Sequence, residues 1–153
     1  MALSELLSLG RVLIDVPDCK RREVINLLAE CFAADLGGEP PGYAEPLLER
    51  EKLGSTAIGK GIALPHGKMA ALKRPAAAVA VLKQKCKFPT PDNVDVDIVI
   101  AFLSPDGPPQ DVARIGDIVR ELRDGNVVDA FRSAETPEQL IQALQGTGTR
   151  PGR

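Results

Sequence analysis

The chain has 153 residues, 44% of them hydrophobic and 26% charged, which fits one soluble globular domain with a real core. Its formal charge is −2, from 19 basic and 21 acidic residues, and aromatics make up only 3%. That balance excludes nucleic acid or an anionic membrane surface as a main partner, because both select a basic excess, and it leaves no base-stacking platform. No run approaches the roughly 20 apolar residues of a membrane span, and the N-terminus lacks a signal peptide's basic start and apolar stretch. Cys19, Cys31 and Cys86 form neither a disulfide framework nor a zinc pattern, so a reducing cytoplasm is expected and no metal or cofactor is implied.

In chain order, residues 1–17 predict a short helix and then an extended piece, Arg11 to Val16. Asp18 is placed to cap the next helix, in which Val24, Leu27, Leu28, Cys31 and Phe32 form one apolar stripe. Gly37-Gly38 ends that helix, and Pro40-Pro41-Gly42 reads as a turn. A second helix is expected from about Tyr43 to Leu53, with Pro46 in its first turn and Gly54 after its end. Its charges, Glu49, Arg50, Glu51 and Lys52, read as a solvated face. Gly54 to Lys68 carries four glycines and one proline around a short strand, Ile62 to Leu64, so His66 is expected in a loop.

Ala76 to Leu82 reads as a buried strand, and Val94 to Leu103 as a strand covered on both faces. Helices are expected at about Gln110 to Arg123, over Val127 to Arg132, and from a Thr136 cap to about Leu144. This order predicts a single α/β domain, residues 1–146, with a central sheet flanked by helices on both faces, and a disordered tail, 147–153.

His66, the single histidine, stands in Leu64-Pro-His-Gly-Lys68. A neutral imidazole is a good nucleophile near pH 7. Phosphoryl transfer chiefly needs positioning and donors around three oxygens. Glycine-rich backbone, the hydroxyls of Ser55 and Thr56, the charge of Lys68, the open approach at Gly67 and the planar fork of Arg50 could supply these. A hydrolase reading lacks a GxSxG elbow, and Gly59-Lys-Gly61 lacks the third glycine of a nucleotide loop.

Leu48-Glu-Arg-Glu-Lys-Leu-Gly-Ser-Thr56 followed by Gly59-Lys-Gly-Ile-Ala-Leu-Pro-His66 resembles the signature of the fructose/mannitol-type enzyme IIA domains of the bacterial phosphotransferase system, in their nitrogen-regulatory branch. The likeness extends more loosely over residues 3–144, through the strand ending in Ser104-Pro105 and the helix opening at Thr136-Pro137. It implies a mixed sheet of about five strands, His66 as phosphoryl acceptor and Arg50 as phosphoryl contact. It implies a phosphorylated HPr-like donor, charged from phosphoenolpyruvate through enzyme I, and regulated target proteins as partners. Many members carry a second histidine at or near Asp111; here that role is empty or is filled differently, by Gln110 or Asp111. The resemblance leaves open a phosphorylation-impaired interaction module, or a transport role passing phosphate to a IIB domain. Monomer and weak dimer stay equally open, as does the ring nitrogen used.

Overall fold

The centre of the protein is a pair of long antiparallel strands, apolar on both faces. The computed structural model describes residues 2–17 and 20–147, with nothing taken from the Thr147 side chain. The elements are α1 (Leu3–Leu6), a 3-10 turn (Leu9–Arg11), β1 (Val12–Val16), α2 (Arg21–Leu36), α3 (Pro40–Lys52), β2 (Ala57–Gly59), β3 (Ile62–Ala63), β4 (His66–Lys68), β5 (Ala76–Cys86), β6 (Val96–Ser104), α4 (Gln110–Glu121), α5 (Gly125–Ser133) and α6 (Pro137–Thr147). They form one mixed sheet in the order β1-β5-β6-β3-β2, with β4 also on β6.

Alternation along β5 and β6 divides the core in two. Ala76, Ala78, Ala80, Val99, Ala101 and Leu103 face α2 and α3. Ala77, Val79, Val81, Ile98, Ile100 and Phe102 face the layer built by α1, α4, α5 and α6. The alanine row on the first face leaves room for Phe32 of α2 and Tyr43 of α3, whose rings stack at 5.5 Å. Helices on both faces of a mixed sheet are the architecture the sequence predicts. Among the described residues no helix is long and apolar enough to cross a membrane.

Several expected boundaries move. α3 begins at Pro40, not Tyr43, because prolines in a first helical turn forfeit no needed N–H. Pro46 therefore lies inside the helix. The expected capping residue Asp18, Cys19 and residues 148–153 of the expected tail lie outside the described residues; α6 takes in Thr147. Cys86 is buried at the end of β5. The Thr136 cap is present: its hydroxyl accepts from the Gln139 N–H at 3.2 Å.

Arg11 ties the N-terminal turn to the sheet. Only 8% exposed, it donates to the Leu6 and Ala77 carbonyls, both at 2.9 Å, and to Asp35 at 2.8 Å. Hydrogen bonds from Ser8 and then Arg11 hold the Asp35 carboxyl below its ordinary value. A depressed folded-state pKa contributes stability that is present above the unfolded value, near 3.9, and is lost as pH falls through the folded one. Wild type should therefore outlast Asp35→Asn in urea at pH 7, with the gap closing below about pH 4, as unfolding midpoints across pH 3–7 will show.

Candidate functional site

The site is built on one interrupted strand. Ile62 and Ala63 pair in parallel with Ile98 and Val99, and His66, Gly67 and Lys68 with Phe102, Leu103 and Ser104. The register is the same on both sides of Pro65, whose carbonyl still accepts from the Phe102 N–H at 2.9 Å. Pro65 has no N–H to give the ladder, so β3 and β4 are two halves of one column. The sheet thus has six strands in five columns. It also means that His66 stands on a strand, where a loop was expected. The glycines and the proline suggested a loop, but β6 supplies the pairing that the local sequence hides.

Alternation carries through the break. Ile62 and Leu64 belong to the core under α4–α6, and His66 and Lys68 share their face. Ala63 and Gly67 face α3. His66 is half-buried beside fully buried Phe102, its register partner. Its Nδ1 lies 2.8 Å from the Leu64 carbonyl oxygen. A carbonyl only accepts, so Nδ1 carries the proton and, in the neutral ring, Nε2 carries the lone pair.

α3 runs antiparallel along this column. A Cβ on Gly42 would lie 3.8 Å from Met69 Cε, and a Cβ on Gly67 only 2.9 Å from the Pro46 carbonyl oxygen. A helical turn and two strand residues advance by similar amounts, about 5.4 Å and about 6.6 Å. Arg50, one turn beyond Pro46, therefore comes level with Pro65 and His66, on the α3 side of the edge. It is half-buried and donates one bond, Nη1 to the Gly54 carbonyl at 2.9 Å. The other guanidinium N–H groups make no bond to the described residues. Arg50 and His66 thus reach the same level of the column from opposite faces, without a direct bond.

Both hydroxyls are already engaged, one by backbone and one by a carboxylate. Ser55 Oγ accepts from the Ala57 N–H at 3.2 Å. Thr56 is 5% exposed and donates its hydroxyl to Glu51. Glu51 is itself 8% exposed, although its helix face reads as solvated in the sequence. The Arg21 guanidinium of α2 lies 3.5 Å from its Oε2. Its five-residue spacing from Thr56 was the available signal.

At the start of α4, Gln110 is exposed and Asp111 is buried. Asp111 Oδ2 accepts from the Gly107 N–H at 3.1 Å, and Oδ1 from Arg114 Nη1 at 3.1 Å. Arg114 Nη1 also donates to Ser104 Oγ at 3.2 Å and to Asp106. Hydrogen bonds from Arg114, first to Asp106 and then to Asp111, push its guanidinium further up. Asp111 is therefore neutralised within its own loop. A cation that the sequence reading missed stands on the face His66 shares, beside Ser104, the register partner of Lys68. Exposed Lys68 lies against the same loop: a Cβ on Gly107 would be 3.2 Å from Lys68 Cδ. The signal for Arg114 was its i,i+3 spacing from Asp111.

The model of the phosphoenolpyruvate-dependent sugar phosphotransferase system, EIIA 2, family matches residues 5–146. The chain belongs to this family. A nitrogen regulatory protein of Pseudomonas aeruginosa is 33% identical over 144 residues, covering 93% of this chain and 94% of that one. The crystal structure of nitrogen regulatory protein IIA-Ntr from Neisseria meningitidis superposes with a TM-score of 0.83 at 21% identity, over 92% of this chain and 97% of that one. Mannitol IIA from Escherichia coli superposes at 0.76 with 20% identity, over 90% and 98%. The EIIA 2 match spans β2, the β3–β4 column, α3 beside it and the Arg114 loop.

The helix-on-strand contact at Gly67 has no slack. Gly67→Ala should cost roughly 1–3 kcal/mol through overpacking against the Pro46 backbone, read as a lower urea midpoint. Because the added methyl group lifts α3, it should also broaden or shift the His66 ring signals in NMR spectra.

Proposed function

We propose that this chain is a phosphohistidine carrier that accepts a phosphoryl group on His66 Nε2 from a phosphorylated HPr-like protein and acts mainly as a regulator. The observation that carries this reading is the Nδ1 bond to the Leu64 carbonyl, 2.8 Å, which leaves a lone pair on the other nitrogen of a half-exposed ring. The Nε2 lone pair forms the new N–P bond as the donor's N–P bond breaks, and that electron pair returns to the donor's imidazole. No proton is transferred. As the ring takes up positive charge, the Nδ1–H donor becomes charge-assisted and its bond strengthens.

Arg50 of α3 is the cation for the phosphoryl oxygens: most of its fork is unspent, and it stands level with His66. Lys68, two residues on along the strand and on the same face, adds a second positive charge. Gln110 and Asp111 supply no second imidazole, and Asp111 is spent on Gly107 and Arg114. The regulatory role is supported by the kinship with nitrogen regulatory proteins over nearly the whole chain. A phosphoryl group adds about −1.5 to −2 charges at pH 7, enough to change what docks over the site.

Incubation with phosphoenolpyruvate, enzyme I and HPr should add one phosphoryl group to the intact mass of wild type and none to His66→Ala. An unmodified wild type overturns the proposal. Arg50→Ala should slow the gain by about 100-fold while leaving the fold intact, since one lost donor to a developing charge costs that much. Quenched-flow mass measurements check the rate, and thermal unfolding the fold.

A further inference from the structure

Leu64 and Thr56 stand directly opposite each other in the antiparallel β2–β3 ladder, one step beyond the Ala57–Ala63 pair. The Leu64 N–H donates to the Thr56 carbonyl at 2.9 Å. In an antiparallel hydrogen-bonded pair the reciprocal bond, Thr56 N–H to the Leu64 carbonyl, completes the ring. Here the Thr56 N–H goes to Glu51 Oε2 at 3.3 Å, and the Thr56 hydroxyl to Glu51 Oε1. The Leu64 carbonyl, released by its natural partner, accepts His66 Nδ1 instead.

We propose that Glu51 is the positioning residue that sets the tautomer of His66, by withdrawing the Thr56 N–H from the Leu64 carbonyl. This rests on the reading of His66 as the acceptor, and it adds how the acceptor nitrogen is chosen. Glu51 touches neither the imidazole nor a phosphoryl group. It acts through two backbone groups, held in place by its burial and by Arg21 at 3.5 Å. With Glu51 removed, the Thr56 N–H turns back to complete the ladder. The Leu64 carbonyl then serves two donors, each held less tightly. The imidazole loses its bias toward Nδ1–H, and the nucleophilic lone pair is no longer confined to Nε2.

A chain with one histidine makes the test direct, because ring-labelled 15N-histidine gives a single imidazole. In unphosphorylated wild type at a pH where the ring is neutral, Nδ1 should resonate as a protonated and Nε2 as an unprotonated nitrogen. Glu51→Ala should move both shifts toward their average and slow phosphorylation about tenfold, the loss of one hydrogen bond of ordinary strength. Glu51→Gln, whose amide oxygen can still accept from Thr56, should restore both. Thr56→Val, which removes only the hydroxyl arm, should give an intermediate shift and provides the readout if Glu51→Ala does not fold. Ring shifts unchanged in whichever of Glu51→Ala and Thr56→Val fold overturn the proposal, as does a slowed reaction with an unchanged tautomer. The ring shifts need no phosphoryl donor, so they decide this inference separately from whether His66 is phosphorylated.

Discussion

Everything at this site depends on one carbonyl group that the sheet does not use. The Leu64 oxygen points away from β6, because its neighbour Pro65 makes the bond to that strand. It receives no backbone partner from the β2 side, because the Thr56 N–H is turned to Glu51. A buried backbone oxygen needs a donor, and the nearby imidazole provides one. The proline before the histidine interrupts the ladder without shifting its register, and the Thr56 N–H, by turning to Glu51, frees the carbonyl that orients the ring.

The Arg114 loop follows a similar economy of partners. The start of α4, where the family resemblance points to a second imidazole, carries a carboxylate. That charge is matched by an arginine one turn later on the same helix and by the Gly107 N–H. Asp106 and Ser104 join the same guanidinium, so the loop from β6 to α4 closes on itself. The loop that Lys68 lies against is thereby charge-compensated.

The order of helices and strands was legible because the apolar stripes of α2 and the two-faced runs of β5 and β6 have clear periods. The reach of α3 was less legible, since Pro40-Pro41-Gly42 is turn chemistry in isolation and becomes a helix start only when a helix follows. His66, the candidate nucleophile of the sequence reading, was expected in a loop and stands on a strand. The pairing that makes β4 a strand is with a segment far away in sequence, and no local pattern reports it. Glu51 and Arg114 had only weak local signals, for a related reason. Each is one charge among several on a helix, and only the packing of α3 against α2, or of α4 against the β6 loop, decides which charge is inside.

The shortness of β4 has a further consequence. It is three residues long, its pairing in the sheet is to β6, and one of the three is a glycine and another an exposed lysine. Long, flat, apolar edges recruit other strands, and charged, brief ones do not. A side chain on such an edge is open to a partner that arrives with matching shape and charge, and the edge offers little to a stray strand from an unfolded neighbour. The same three residues that present the imidazole thus make a poor template for further strand pairing.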